Sequence, residues 1–386
     1  MLMRALVVAA ALAGFGIAAT GTFRPPFTDP HSTTRRVAAT LDGQARTDAL
    51  RLGAFPSAAW FTGGTPAEVE AGVRDLVTRA AAADRTPVLV AYNVPFRDCA
   101  LYSAGGAAND ADYLKWVRAF AAGIGDRATI VLLEPDGLGV IPWMTTLDGA
   151  VERCRPAALG PPAAEARFAL LRAAVAVLAA LPHTRVYLDG TTSSWLAPGE
   201  IAQRLIRADV RRTAGFFLNV SNYESDARLA VYARAVSDCI ALVARGDVDP
   251  RTCPVASGSA AATMRSYDPL FARAGLRRDP ARQARAVIDS SRNGRGSWTP
   301  PPGRHVDAEV WCNPPGRGLG RRPTLTSRDP YVDAFLWIKV PGESDGECLR
   351  GTAGPNDPER GVRLPPAGQW FPEGARELIR NAVPPL

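Results

Sequence analysis

Two lysines (Lys115 and Lys339) and three histidines (His31, His183 and His305) are all that the 386 residues contain of these types. Nearly all the positive charge is arginine, and the net charge of +7 is spread along the chain. Arginine pairs such as Arg211-Arg212, Arg277-Arg278 and Arg321-Arg322 have acids between them. No basic run is interleaved with aromatics, which argues against a nucleic-acid binder. Loose attraction to an anionic surface is all that such a balance supports. The histidines lie far apart and the six cysteines contain no CxxC pair, so no metal site is expected. Gly63-Gly64 and Gly105-Gly106 match neither GxGxxG nor a phosphate loop, so a nucleotide fold is not indicated. After the N-terminus there is no apolar stretch long enough to span a membrane, no low-complexity linker and no internal repeat.

An apolar fraction of 47% is enough for a sizeable core. The N-terminus, MLMRALVVAAALAGFGIAATG, has one arginine followed by an apolar stretch from Ala5 to Ala19, the pattern of an export signal. An uncleaved membrane anchor is the competing reading, although the stretch is short for a span. Residues 1–23 are therefore set aside from the fold, and residues 24–386 are read as one domain. Export suits the cysteines, Cys99, Cys154, Cys239, Cys253, Cys312 and Cys348, as a disulfide framework. Six cysteines allow about 15 pairings, and spacing alone does not choose among them.

Apolar runs recur, each closed by polar or aromatic residues: Ala58–Trp60, Val88–Tyr92, Ile130–Glu134, Val186–Asp189, Phe216–Val220, Val287–Asp289 and Phe335–Lys339. Their length and β-branched content predict buried strands. Helical patterns lie between most of them. Thr65-Pro66-Ala67-Glu68 is a capping box with proline at the first helical position, predicting a helix to about Ala83. Ala163 to Leu181 predicts a second helix, stopped by Pro182, and Pro198–Asp209 and Asp226–Ala244 predict two more. Buried strands alternating with helices give an α/β fold on a parallel sheet. Seven or eight such units point to a closed barrel more than to an open sheet. Either way, functional residues gather at the C-terminal strand ends.

Carboxylates stand there. Val88–Tyr92 runs into Asn93-Val94-Pro95-Phe96-Arg97-Asp98-Cys99, and Val186–Leu188 into Asp189. Phe335–Ile338 runs into Lys339-Val340-Pro341-Gly342-Glu343-Ser344-Asp345-Gly346. Ile130–Leu133 stops at Glu134-Pro135-Asp136. Pro135 forbids a central strand from continuing, and it predicts an extended Glu134 with Asp136 delivered to the strand tip. Asp136 as a mere turn starter is the plainer alternative. Acidic loops in general do not explain why the longest apolar strands share the feature, each with proline or glycine near its exit. Trp60, Tyr92, Trp195, Trp311 and Trp337 collect in the same places; Trp337 sits inside an apolar run and reads as core, whereas Trp60, Trp195 and Trp311 read as exposed. Flat aromatics cover the C–H faces of sugars while carboxylates and amides bond their rims. Carboxylates and indoles without histidine resemble a glycosidase more than a protease or phosphatase.

The blocks YNVPFRDC and VLLEPD resemble the signatures of glycoside hydrolase family 6, the inverting cellulases. YLD, GFFLNVSN, IDSSRNG, WCNPPGRGLG and FLWIKVPGESDG agree with the same family and occur in its order, spanning about residues 55 to 350. The resemblance implies a distorted α/β barrel of about seven parallel strands, β-1,4-glucan (cellulose or cello-oligosaccharide) as substrate, and no cofactor. By resemblance, Asp136 is the general acid, Asp98 supports its protonation and assists water attack, and Asp345 is the other candidate for base or charge stabiliser. Tyr92 lies below the sugar ring that is cut. Lys339 and Glu343 contact sugar, as do Asn219 and Asn222. Trp60 and Trp311 stack on the non-reducing side of the cut and Trp195 on the leaving-group side, and Ser103 closes over substrate.

Two departures stand out. Where the family usually reads Ala-Gly-His-Ser after the YLD block, this chain has Gly190-Thr191-Thr192-Ser193, and Ser221-Asn222-Tyr223-Glu224 continues unusually into Ser225-Asp226. The family also implies the disulfides Cys99–Cys154 and Cys312–Cys348. Cys239 and Cys253 remain and are expected to pair across their short loop, a bond worth roughly 2–4 kcal/mol. The modest segment from Cys348 to Trp370 favours endo action, hence a secreted endo-β-1,4-glucanase, and with no linker or appended binding module in view soluble or amorphous glucan is the expected substrate. The alternatives are a cellobiohydrolase of the same family, or a secreted glucan-binding protein with impaired catalysis.

Overall fold

The computed structural model describes residues 23–386 except residues 100, 246, 247 and 257. The export signal or anchor expected over residues 1–23 falls, but for Phe23, outside them. Seven strands form one sheet in sequence order: β1 (Ala59–Phe61), β2 (Val88–Ala91), β3 (Thr129–Leu133), β4 (Thr184–Asp189), β5 (Gly215–Leu218), β6 (Arg285–Asp289) and β7 (Val332–Leu336). Every neighbouring pair is parallel. The sheet curls into a barrel that its ladders do not close. Its two margins are joined by the backbone bond from Ala58 N to Trp337 O (2.9 Å) and by the Trp60 indole N–H donating to Ile338 O (2.8 Å). The distorted α/β barrel of about seven parallel strands implied by the resemblance is what is found, its ladders left open where the alternation of strands and helices had pointed to closure.

The helices are α1 (Thr33–Ala38), α2 (Gly43–Leu52), α3 (Pro66–Ala82), α4 (Asp110–Ile124), α5 (Ala163–Leu178), α6 (Pro198–Arg207), α7 (Asp226–Val243), α8 (Ala260–Arg273) and α9 (Pro372–Arg380). The Thr65 hydroxyl accepts from Glu68 N while Thr65 N donates to Glu68, so the expected capping box starts α3. Helix α5 ends four residues short of Pro182. No helix among the described residues is long and apolar enough to cross a membrane.

Both faces of the sheet are buried, which is why its strands read as continuous apolar runs rather than alternating ones. Successive side chains point to opposite faces. Val131 and Leu133 of β3 join Leu89, Val186, Leu188 and Phe216 in an outer layer under α3 to α7. Ile130 and Leu132 join Val90, Tyr187, Phe217 and Val287 in the barrel interior. That interior is packed, so the chemistry is left to the loops at the C-terminal rim. Trp337 is buried against Leu52, Leu319 and Leu378, as its apolar run predicts. Disulfides join Cys99 to Cys154, Cys239 to Cys253 and Cys312 to Cys348, which are the three expected pairs.

Candidate active site

Strand β3 ends where two carboxyls part company. Glu134 adopts φ +54°, not the extended conformation expected of a residue before proline. Its carboxylate turns back to accept Asn93 N and Val94 N (all 3.0 Å), the donors freed where β2 ends. Satisfying those buried N–H groups outweighs the backbone preference. Burial lifts the Glu134 acid to about 7 against these donors. Asp136, also left-handed at φ +61°, faces the other way and lines a cavity of about 1160 Å³.

Among the described residues no donor reaches the Asp136 carboxyl. Burial raises its acid well above the ordinary range, and the charges of Asp98 and Asp189 push it further. Asp189 does not line the cavity. It accepts Leu138 N, Gly139 N and Thr191 N, and burial lifts it to about 6. It therefore ties down the turn that follows Asp136 while supplying negative charge from behind.

Asp98 lies on the loop after β2. Its Oδ2 accepts Ser103 Oγ (2.6 Å) and Ser103 N (2.9 Å), and the Ser103 hydroxyl also meets Tyr92 Oη at 2.9 Å. Burial raises the Asp98 acid, while Ser103 and Arg97 oppose that rise. Burial, together with Asp136 and Asp98, pushes the Tyr92 phenol far up, so it stays neutral. Trp60 meets Tyr92 edge-on at 5.4 Å, and Arg97 lies 4.7 Å from the Tyr92 centroid on the ring's face.

Across the groove, Asp345 is clamped. Its Oδ2 accepts Arg292 Nη1 (2.8 Å), Asn313 N (2.9 Å) and Tyr223 Oη (3.0 Å). Its Oδ1 accepts no hydrogen bond from the described residues, with Lys339 Nζ at 3.9 Å. Arg292 is buried over the Tyr223 ring at 4.4 Å. Arg292, Tyr223 and Asn313 stand in or beside the blocks IDSSRNG, GFFLNVSN and WCNPPGRGLG, but the sequence alone assigns none of them a role. The signal for Arg292 was an arginine three residues past a buried strand end. Lys339, shifted down by burial, donates to Ser344 O, and Glu343, shifted up by burial, accepts from Thr33.

The structure brings together on one cavity Trp60, Tyr92, Asp98, Ser103, Asp136, Trp195, Asn222, Trp311, Lys339, Glu343 and Asp345. Trp195 is 42% exposed, and it rests against Gly139 so closely that a Cβ there would lie 2.4 Å from the indole. Asn219 is the exception and is corrected. It is fully buried, its amide donates to Asp289 O, and its oxygen accepts from Glu224 N and from Thr192, the residue standing where the family has histidine. Asn219 braces the rim from within and does not reach the groove.

A sequence model of "Glycosyl hydrolases family 6" matches residues 23–382. Endoglucanase A of Thermobispora bispora is 34% identical, covering 99% of this chain and 69% of that one. Endoglucanase 1 of a Streptomyces species (strain KSM-9) is 35% identical over 84% of this chain and 72% of its own. Among solved structures, the endoglucanase Cel6 of Mycobacterium tuberculosis, in complex with methyl-cellobiosyl-4-deoxy-4-thio-β-D-cellobioside, matches with a TM-score of 0.69 at 31% identity. The match covers 94% of this chain and 98% of that one.

Proposed function

The chain belongs to glycosyl hydrolases family 6, and on that premise we propose that a β-1,4-glucan lies along the groove and is cut beside Asp136. The protein is a cellulase, an endo-1,4-β-glucanase of an inverting family. The relatives named endoglucanase are 31–35% identical and those named exoglucanase or cellobiohydrolase 29–30%, which supports internal cutting over chain-end action. A catalytically impaired glucan binder would lack an acid, whereas Asp98, Asp136 and Asp345 all line the cavity.

One observation carries the mechanism. The Asp136 carboxyl receives no donor among the described residues and faces the charges of Asp98 and Asp189, so it holds its proton. It gives that proton to the glycosidic oxygen as the C–O bond breaks and its electron pair stays with the leaving sugar. Water adds to the anomeric carbon from the opposite face, and its proton passes to the Asp98 side. Asp98 suits this role because burial raises its basicity. Asp345, held on one oxygen by Arg292, Asn313 and Tyr223, suits charge stabilisation of the oxocarbenium-like state. Inversion requires acid and base to stand roughly 6.5–9.5 Å apart, with room for the water. Tyr92 supports the ring being cut, Trp60 and Trp311 stack on the glycon side, and Trp195 on the leaving-group side. Asn222, Lys339, Glu343 and Ser103 supply the polar rim.

Three disulfides support a place outside the cell; mass spectrometry of the mature N-terminus tests export against anchoring. The function is tested by following products from carboxymethyl-cellulose and cello-oligosaccharides, with anomer detection by NMR. Internal cuts giving α-anomers first are expected. A retained β-configuration in the first product would contradict inversion.

A further inference from the structure

Tyr102 has no role in the mechanism above, yet it joins three loops. Its hydroxyl donates to Glu309 Oε1 (2.8 Å) and accepts from Leu349 N (2.9 Å). Its ring lies 5.9 Å from that of Trp311. It also rests against Gly346, next to Asp345, where an added Cβ would lie 2.4 Å from Tyr102 Cβ. Tyr102 itself sits on the loop after β2, beside Ser103, while its partners sit on the loops after β6 and β7. In the sheet order β2 lies next to one margin, and β6 and β7 lie at the other.

The receiving side is rigid without Tyr102. Glu309 Oε2 accepts Arg350 N (2.7 Å), and Arg350 is fully buried in a two-bond ion pair with Asp357. Arg350 also holds the carbonyls of Ala308, Glu309 and Cys312, and Cys312 is bonded to Cys348. Removing the Tyr102 hydroxyl would leave every one of these contacts in place. The Asp98 loop is what that hydroxyl fixes. Burial lifts its phenol to about 12, so it remains a donor to Glu309.

Resting on the glucanase reading, we propose that Tyr102 is a positioning residue for hydrolysis. By tying its own end of the loop after β2 to the walls that carry Trp311 and Asp345, it sets the Ser103 hydroxyl and the Asp98 carboxylate against the sugar being cut. It touches no reacting atom and acts through Ser103, its chain neighbour, which bonds both Asp98 and Tyr92.

The test is Tyr102→Phe, which keeps the ring on Gly346 and loses both hydrogen bonds. Hydrolysis of cellotetraose and cellohexaose is measured against pH, beside thermal unfolding. We expect kcat to fall on the order of tenfold or more, KM to move less, and unfolding to stay close to that of the parent. The acid limb of kcat/KM shifts to higher pH, because a loosened Ser103 no longer opposes the raised Asp98 acid. The groups facing Asp98 are Asp136 and Tyr92, with Arg97 on its own loop. In a Ser103→Ala background, Tyr102→Phe should add little, because both act through one hydroxyl. Unchanged kcat and acid limb, or a full extra loss in the Ser103→Ala background, would overturn the positioning role. An unaltered chain that cuts no β-1,4-glucan removes the glucanase reading and this role with it; an active one with an unimpaired Tyr102→Phe removes this role alone.

Discussion

Glu134 and Asp136 are two residues apart, and they end in opposite situations. The Glu134 carboxylate is filled by backbone N–H groups from the neighbouring strand exit. Asp189 and Asp289 do the same elsewhere: Asp189 takes three N–H groups, and Asp289 takes those of Ser291, Ile338 and Lys339. These three acids staple one strand end to the next. Among the described residues Asp136 receives no donor and looks into the groove, while Asp345 is clamped by charge on one oxygen and accepts nothing on the other. A carboxyl at a barrel rim thus takes its job from its donors. Backbone donors make a staple, an arginine makes a fixed negative charge, and the absence of donors beside other acids makes a proton reservoir.

The sharpest way to break this contrast is to neutralise each member. Asp136→Asn should lower kcat by about 10²–10⁴, while cello-oligosaccharide binding, measured calorimetrically, and unfolding stay near those of the parent. Equal activity in that variant would remove the acid assignment. Arg292→Met strands the Asp345 charge. It should cost about 3–5 kcal/mol of stability, as the loss of one partner of a buried pair does, and denaturant unfolding measures it.

The staples respond to pH in a defined direction. Burial raises Glu134 from 4.5 to about 7 and Asp189 from 3.8 to about 6 in the folded chain. Each favours the folded state fully below its unfolded value, and that contribution is lost as pH rises through the folded value. Stability should therefore fall between about pH 4 and pH 7, by on the order of 3 kcal/mol per group at most. Melting temperature against pH should decline over that window, and Glu134→Gln should flatten the decline while destabilising the fold by about 1–3 kcal/mol. The smallest effect separates the two asparagines. Asn222→Ala should raise KM several-fold, the worth of about one hydrogen bond, whereas Asn219→Ala should act on unfolding and leave KM alone.

Much of this was legible in the residues. Seven apolar runs became seven strands because both faces of the sheet are covered, so burial wrote itself into continuous hydrophobic sequence. Asp98, Asp136 and Asp345 were legible because each follows such a run with proline or glycine close by. The end of β7 was not: Phe335–Lys339 was expected and Val332–Leu336 is found, because Ile338 and Lys339 give their N–H groups to the Asp289 carboxylate instead of to a ladder. Nor could sequence separate Asn219 from Asn222, or a staple from a reacting acid. That depends on which N–H groups a neighbouring strand leaves unpaired, a matter of register between segments some 40 to 70 residues apart. The Arg292–Tyr223–Asn313 clamp was hidden for the same reason, since its members come from three separate blocks.

The account rests on the proton that Asp136 keeps. A carboxyl-carbon NMR titration, with the Asp136 resonance assigned by its loss in Asp136→Asn, measures that proton directly. A midpoint well above 3.8, moving down when Asp98 is changed to Asn, is the predicted result. A midpoint at or below the ordinary value, indifferent to Asp98, would contradict it.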